Sequence, residues 1–255
     1  MASALHVFEY DLAGYRRTWR SSLGVSLFLP LFFLSAMGLG LGGLVNRNSG
    51  GVGGVSYLAF LAPGLLAATA MQAAMGEMSF PIMAKVKWIR SYEAMLATPL
   101  GVREILLGEL LWLAFRLATI SVLFMLVMAV FGLLRTPAAL LAAPAALLTG
   151  LAFGAPMFAF SVTQENDSAY TYLFRFVMMP LFLFSGTFFP LDRLPSPVRE
   201  LAWLSPLSHG TALTRGVTLG NLGAAEAVAH VAVLAALVLA GALAGRVTLR
   251  RRMVR

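Results

Sequence analysis

The chain has no cysteine and little charge, and both features restrict the classes of protein to which it can belong. Without thiols it has no disulfide, no thiolate nucleophile and no cysteine-ligated metal. Charged residues make up only 12% of the 255 residues, against about 25% in ordinary soluble domains. Hydrophobic residues make up 59%, more than one soluble core can hide from water. The composition predicts a membrane protein and excludes disordered, collagen-like and disulfide-stapled chains.

Motifs for nucleotide, metal and hydrolytic chemistry are also missing. The sequence has no G-x-x-x-x-G-K-[ST] phosphate loop, no H-E-x-x-H and no G-x-S-x-G. Its histidines, His6, His209 and His230, are too scattered along the chain to predict a metal site. We expect no catalytic residue and no cofactor on this chain, so energy for any uphill work must come from another polypeptide or an ion.

Long apolar runs dominate what is present. A helix that crosses about 30 Å of hydrocarbon needs roughly 20 apolar residues, and six runs reach that length. The predicted fold is therefore an all-α polytopic membrane protein with six transmembrane helices in a single domain. The predicted spans are 22–45, 57–83, 105–131, 138–160, 170–189 and 225–245.

The distribution of basic residues predicts the orientation. Cytoplasmic loops carry the excess of Lys and Arg, and most of the 19 such residues fall on one side of the predicted spans. Both termini are then cytoplasmic, and the net charge of +8 needs no nucleic-acid partner. The basic residues on that side are Arg16, Arg17, Arg20, Lys85, Lys87, Arg90, Arg103, Arg246, Arg250, Arg251, Arg252 and Arg255. Those on the other side are Arg47, Arg135, Arg193, Arg199 and Arg215.

Residues 5–20 have the pattern of an amphipathic helix lying on the inner leaflet. One face is apolar, and the opposite face carries Glu9, Arg16 and Arg20. A simple membrane anchor is the alternative interpretation. The apolar stripe consists of Leu5, Phe8, Leu12, Tyr15 and Trp19.

Three charged residues, Glu77, Glu109 and Arg116, fall inside predicted spans, where charge is costly. Glu109 and Arg116 are seven residues apart and share a helix face, and Glu77 lies at a depth between them. We favour an ion pair or triad that ties spans two and three together. A contact with substrate or a proton is the alternative.

The longest predicted cytoplasmic loop, 84–104, contains a short helix at 91–97 that Ser91 can cap and Pro99 ends. Barely two turns of helix are unstable alone, which favours docking on a partner through Tyr92, Met95 and Leu96 beside Glu93. A tight turn on the lipid headgroups is the alternative.

Prolines divide the segment between spans five and six into short amphipathic pieces. We expect residues 190–214 to re-enter the outer interface as a broken helical hairpin, covered by protein. With the end of span five, this segment would form a lid over any pathway. Its gate residues are Phe188, Phe189, Pro190 and Leu194.

Four stretches resemble the ABC type-2 exporter permeases, in order and spacing over nearly the whole chain. Within that family, the stretches most resemble the nodulation protein J branch, which exports lipooligosaccharide, and the daunorubicin-type drug exporters. The stretches are WIRSYEAMLATP at 88–99, ILLGE at 105–109, FSGTFFPLDRLP at 184–195 and LSPLSH at 204–209.

The resemblance implies a half-transporter in the bacterial inner membrane that performs no bond chemistry. It would form a homodimer with two copies of a separate ATPase subunit, which would hold the ATP and Mg²⁺. The cargo would be amphipathic, lipid-linked, a glycolipid or drug-like. The helices at 5–20 and 91–97 would contact the ATPase, and spans one, two and five would line the pathway. Candidate coupling residues are Arg90, Ser91, Tyr92, Glu93, Met95 and Leu96.

Other functions stay open at this point. An ion-coupled secondary transporter would use Glu77 or Glu109 as its proton carrier. A membrane-embedded enzyme of lipid metabolism would need a convergent set of His, Asp or Ser residues, which the sequence does not indicate. A purely structural scaffold would tolerate loss of the helix at 91–97.

Overall fold

The computed structural model describes residues 2–134 and 136–253. Arg135 and Arg255, which entered the charge comparison, lie outside the described residues. Twelve α-helices make up most of the described chain. They are α1 (Ala2–Ser35), α2 (Gly42–Ser49), α3 (Tyr57–Glu77), α4 (Phe80–Lys87), α5 (Ser91–Leu96), α6 (Val102–Val130), α7 (Ala142–Ser161), α8 (Ser168–Leu173), α9 (Met179–Phe184), α10 (Ser196–Trp203), α11 (Pro206–Leu219) and α12 (Ala224–Met253).

Within the described chain, five helical runs are long and apolar enough to cross a membrane. A sixth apolar run, Ser168–Phe184, is shorter and contains α8, a π-helical segment and α9. It ends five residues before the predicted end of span five, because Gly186 turns the chain with φ +78°. The architecture is that of an all-α polytopic membrane protein. The five long runs are Ser3–Asn48, Tyr57–Lys87, Val102–Val130, Pro137–Ser161 and Ala224–Met253.

The predicted surface helix and first span form one unbroken helical run, because no turn separates 5–20 from 22–45. At 1.5 Å per residue, these 46 residues extend about 69 Å, well beyond a hydrocarbon core of about 30 Å. Much of α1 therefore lies outside that core. The apolar stripe of α1 is only partly exposed, because Phe8, Leu12 and Tyr15 pack against the protein core.

The second span is broken where α3 ends and α4 begins, between Glu77 and Phe80. The break frees backbone carbonyls that must find donors inside a membrane. The Ser161 hydroxyl donates to the Met78 carbonyl at 2.6 Å, and the Tyr170 hydroxyl donates to the Ser79 carbonyl at 3.4 Å. Contacts from α7 and α8 thus stabilise a bend that re-aims the last two turns of the span.

Helix α7 is central and packs against α3, α6, α11 and α12. Small residues allow these close contacts, among them the pairs Gly150/Gly154 and Gly241/Gly245. A Cβ on Gly150 would lie 2.6 Å from Leu117 of α6, and one on Gly241 would lie 2.4 Å from the backbone nitrogen of Pro156. The glycine pairs serve packing within this chain.

One end of the bundle is rich in basic residues, and we call it the basic end. It holds Lys87 at the end of α4, Arg103 at the start of α6 and Arg252 near the end of α12. Glu165, in the α7–α8 loop, pairs with both Lys87 and Arg252. The hydrogen bond and charge of Arg252 lower the pKa of Glu165, so this carboxylate stays ionised at neutral pH.

We expect Gly241→Ala to destabilise the bundle by about 1–3 kcal/mol, because the backbone of α7 at Pro156 cannot yield to the new methyl group. Thermal unfolding of the detergent-solubilised protein measures the effect. Gly24→Ala is the matched control, since a Cβ there meets nothing within 4 Å. Equal midpoints for the two variants would contradict the close α7–α12 contact.

Candidate functional site

Helix α5 and the turn before it form an exposed feature of the basic end. Arg90 has φ 54°, a left-handed conformation that reverses the chain between α4 and α5. The turn exposes Trp88 and Ile89, at 55% and 60%, beside the exposed side chains of Arg90 and Glu93. We call Trp88, Ile89, Arg90 and Glu93 the coupling surface. Two exposed apolar side chains beside charges of both signs are typical of a surface that binds another protein.

The other predicted coupling residues lie behind this surface. Tyr92 was expected to face a partner, but it is fully buried, and Ser91 is only 8% exposed. Ser91 does not cap the helix, since Arg90 occupies that position without a side-chain cap. Met95 and Leu96 are half-buried against the core. Half of α5 is therefore tied into the bundle, which gives this short helix the support that it lacks alone.

Directly behind α5, a lysine is shared by two carboxylates. The Lys85 ammonium lies 2.6 Å from Asp11 of α1 and 2.6 Å from Glu109 of α6. All three side chains are at least 90% buried. Burial, and then the charge of Glu109, raises the pKa of Tyr92 on α5 well above its usual value. We call Asp11, Lys85 and Glu109 the lysine clasp, because they join α1, α4 and α6.

A second ion pair lies nearby and involves the other two predicted intramembrane charges. Arg116 donates from Nε to Glu77 Oε1 at 2.8 Å, and the Trp112 indole donates to Glu77 at 3.4 Å. The Arg116 guanidinium also lies 4.7 Å from the centre of the Tyr15 ring. The predicted link between spans two and three is present here, but Glu109 belongs to the clasp and does not join a triad with Glu77 and Arg116.

Sequence reasoning missed Asp11 and Lys85 as members of a buried site. Lys85 was placed in a cytoplasmic loop, but it is the sixth residue of α4 and is 8% exposed. Asp11 was placed on an exposed helix at the membrane surface. One signal for Asp11 was present in the sequence. Asp11 is adjacent to Leu12, so an acidic residue lies at the edge of the apolar stripe of α1, which packs inward.

At the opposite end, the predicted gate residues are half-buried around the chain that leaves α9. The Phe188 carbonyl accepts a hydrogen bond from the Tyr57 hydroxyl at 3.3 Å. The Phe188 ring contacts Phe182 and Phe33, with centroids 5.0 and 6.2 Å apart. Phe188 therefore joins α9 to α1 and α3. Its predicted companions are Phe189, near Phe184, and Pro190 and Leu194, which flank the short turn at 191–193.

Arg215 of α11 holds this region together, although sequence reasoning used it only as a topology charge. It donates to the carbonyls of Phe60 at 3.1 Å, Gly186 at 2.8 Å and Thr187 at 3.4 Å. Its guanidinium also lies 3.7 Å from the centre of the Phe60 ring. Helix α11 is therefore fastened to α3 and to the turn after α9.

Two histidines that are 21 residues apart in sequence meet where α11 packs on α12. The Nδ1 atoms of His209 and His230 are 2.7 Å apart, and Trp203 stacks on His230. Glu226 lies 3.7 Å from His230 Nε2. Burial, and then the neighbouring His230, lowers the pKa of His209. No group of three or more His, Asp or Glu side chains in the described ranges is arranged to hold a metal ion.

Residues 6–219 match the model of the ABC-2 type transporter family. The chain belongs to this family and is the membrane subunit of an ABC transporter, a transport component that is not itself catalytic. Family members normally pair with an ATPase subunit.

The relatives are proteins named nodulation protein J. The chain is 33% identical to that of Rhizobium leguminosarum bv. trifolii, over 98% of this chain and 93% of the relative. It is 32% identical to those of Rhizobium leguminosarum bv. viciae and Bradyrhizobium diazoefficiens, again over 98% of this chain and over 95% and 93% of theirs. The sequence similarity thus covers nearly the whole length of this chain.

We expect Lys85→Met to cost about 3–5 kcal/mol of stability, because it leaves Asp11 and Glu109 as buried, unpaired carboxylates. The fraction of monodisperse protein after detergent extraction, and its thermal midpoint, measure the loss. Lys87→Met is the control, since Lys87 is more exposed and pairs only at the surface with Glu165. Similar midpoints for the two lysine variants would show that the clasp does not stabilise the bundle.

We expect acid to loosen the packing of α11 on α12. A histidine with a lowered folded-state pKa binds protons more readily when unfolded, so stability falls as the pH drops below about 6.5. The thermal midpoint of wild type should therefore fall between about pH 7.5 and about pH 5.5, and His209→Gln should flatten this dependence. His6→Gln, at an exposed histidine, should retain it. If the thermal midpoints of wild type, His209→Gln and His6→Gln all fall equally with pH, the assignment of this pH dependence to His209 is contradicted.

Proposed function

We propose that this chain is the permease of an ATP-driven exporter whose ATP is hydrolysed by a separate subunit. Family membership supports the transport role, and the lack of a phosphate-binding loop in the sequence supports a partner for ATP and Mg²⁺. The functional unit would contain two copies of this chain and two ATPase subunits. Each copy would contribute one coupling surface.

The observation that carries this proposal is the position of the coupling surface directly over the lysine clasp. Glu93 and Arg90 are exposed to a partner, whereas Tyr92 of the same helix is buried beside Glu109. Movement of a docked ATPase would displace α5 and, through the clasp, α1, α4 and α6 together. Mechanical coupling needs an element of this kind, which is exposed to the partner on one side and packed against several spans on the other.

We infer that the basic end faces the cytoplasm of a bacterial cell and that the protein lies in the inner membrane. Lys and Arg collect on the cytoplasmic side of membrane proteins, and the ATP that the partner uses is cytoplasmic. The first helix supports this topology, because Arg16, Arg17 and Arg20 follow Asp11 on the part of α1 that adjoins the basic end. Both chain ends would then be cytoplasmic.

The cargo that we propose is amphipathic: a lipid-linked saccharide, a glycolipid or a drug-like molecule. Two apolar cavities of about 380 and 290 Å³ flank the α8–α9 run, one beside Met75, Phe153 and Met157 and the other beside Phe176 and Phe184. Met and Phe adapt to varied apolar shapes.

We expect Glu93→Lys to weaken ATP-dependent transport while the protein still folds and inserts, because the change reverses the charge of an exposed residue on the coupling surface. The chain is reconstituted in vesicles with the ATPase that co-purifies with wild type. ATP hydrolysis and flipping of a fluorescent glucosyl lipid are then measured together. We expect about a tenfold loss of flipping per ATP hydrolysed.

The matched control is Glu200→Lys, the same charge reversal at an exposed glutamate on α10 at the opposite end. Normal flipping by Glu93→Lys, or an equal loss in both variants, would sink the coupling assignment. The same vesicles test the secondary-transport alternative. Flipping that persists without ATP and stops when the proton gradient is collapsed would favour Glu77 or Glu109 as a proton carrier.

A further inference from the structure

His209 and His230 form a cluster that neither the coupling surface nor the apolar cavities use. They join α11 to α12 at the end of the bundle opposite the basic end, with their Nδ1 atoms 2.7 Å apart. His230 lies about 9 Å along the axis from the start of α12 and is only 4% exposed. His209 is half-buried, so one of the two rings can be reached from water. The pair therefore combines a buried nitrogen ligand with an accessible one.

Each ring of the pair is also held by a further polar contact. Glu226, one helical turn before His230 on α12, lies 3.7 Å from the Nε2 atom of that histidine. The Trp203 backbone accepts a hydrogen bond from the His209 ring, and the Trp203 ring stacks on His230 at an interplanar angle of 13°. Histidines that bind metal ions are usually oriented in this way, by a carboxylate or a backbone carbonyl at the nitrogen that does not bind the ion. The surroundings of the two rings are therefore those of metal ligands.

The short distance between the two Nδ1 atoms leaves room for one hydrogen atom. With its Nε2 hydrogen directed at Glu226, His230 presents the Nδ1 lone pair to His209, whose Nδ1 then carries the hydrogen. A metal ion that displaces this proton to water can bind both nitrogens. Two imidazole nitrogens on one tetrahedral ion lie about 3.3 Å apart, so the rings must separate by about 0.6 Å. The half-buried His209 can make that adjustment by a small side-chain rotation.

The donor atoms indicate the class of ion. Imidazole nitrogen suits Zn²⁺, Ni²⁺ and Cu²⁺, whereas Mg²⁺ and Ca²⁺ take oxygen ligands. Among the first three, Cu²⁺ generally binds a nitrogen site most tightly. The described residues do not group a third His, Asp or Glu ligand with the pair, so water must complete the coordination. A site with two protein ligands exchanges its ion more readily than a closed structural site with four.

We propose that His209 and His230 bind one divalent transition-metal ion through their Nδ1 atoms, with Glu226 orienting His230 from its other nitrogen. The bound ion links α11 to α12. Helix α11 is in turn fastened by Arg215 to the turn after α9, so the ion stabilises this end of the bundle. Binding needs neither ATP nor a partner subunit, and the site is independent of the transport function proposed above.

Four variants test the site. His209→Gln and His230→Gln each remove one nitrogen ligand and keep a polar side chain. Glu226→Gln keeps both ligands and weakens only the contact that orients His230, and its exposed position makes the change harmless to folding. His6→Gln is the matched control, because His6 is an exposed histidine that also has a glutamate, Glu9, beside its ring.

The full-length chain is purified in detergent with an affinity tag that lacks histidine, and is titrated with Zn²⁺, Cu²⁺ or Mg²⁺ alone in a calorimeter. We expect wild type to bind one Zn²⁺ or Cu²⁺ ion per chain, Cu²⁺ more tightly, with a rise in thermal midpoint, and not to bind Mg²⁺. His209→Gln and His230→Gln should abolish this binding, Glu226→Gln should weaken it about tenfold, and His6→Gln should preserve it. The electron paramagnetic resonance spectrum of bound Cu²⁺ should show two imidazole nitrogens.

Three results would overturn the proposal. One is the lack of saturable Zn²⁺ or Cu²⁺ binding by wild type. Another is equal binding by wild type and both variants of the pair, which would show an adventitious ion only. The third is a Cu²⁺ spectrum with a single nitrogen, which would show that the two rings do not share an ion. If the variants of the pair do not fold, the folded Glu226→Gln decides, because undiminished affinity there contradicts the assigned geometry.

Discussion

The basic end of this protein depends on one lysine shared between two buried carboxylates. Lys85 contacts Asp11 and Glu109 at 2.6 Å each, and these residues belong to three different helices. Burying three charges is expensive, and the attraction offsets that cost only while the geometry is kept. The positions of α1, α4 and α6 at this end are therefore fixed relative to one another. The coupling surface is built on that fixed arrangement.

In the coupling that we propose, the clasp would allow a helix of six residues to transmit movement. Helix α5 is too short to be stable alone, but Tyr92 is completely buried and lies next to the carboxylate of Glu109. A force on the exposed Glu93 therefore cannot be absorbed by unwinding α5 without exposing Tyr92. In the proposed coupling, such a force would pass instead to α6 and, through Lys85, to the long first helix.

The helices were predictable from sequence, whereas the buried charge pairs were only partly so. Apolar runs of membrane-spanning length identify α6, α7 and α12 directly, because local composition determines them. The sequence did not indicate that Lys85 is buried. A lysine near the end of a span is usually a cytoplasmic surface charge, and only the fold places Asp11, which is far away in sequence, beside it. His209 and His230 show the same limit, since only the packing of α11 on α12 brings them together.

The two ends of the molecule are held by interactions that respond differently to movement. An ion clasp has specific partners, and separating them leaves unpaired buried charge, so the basic end is suited to move as one body. At the opposite end Arg215 donates to the carbonyls of Phe60, Gly186 and Thr187, which lie on two separate segments. A guanidinium has five donors and can exchange one carbonyl for another with little change in energy. In the proposed transport cycle, rearrangement would therefore concentrate around Arg215 and Phe188, while the clasp would pass on the movement of the ATPase unchanged.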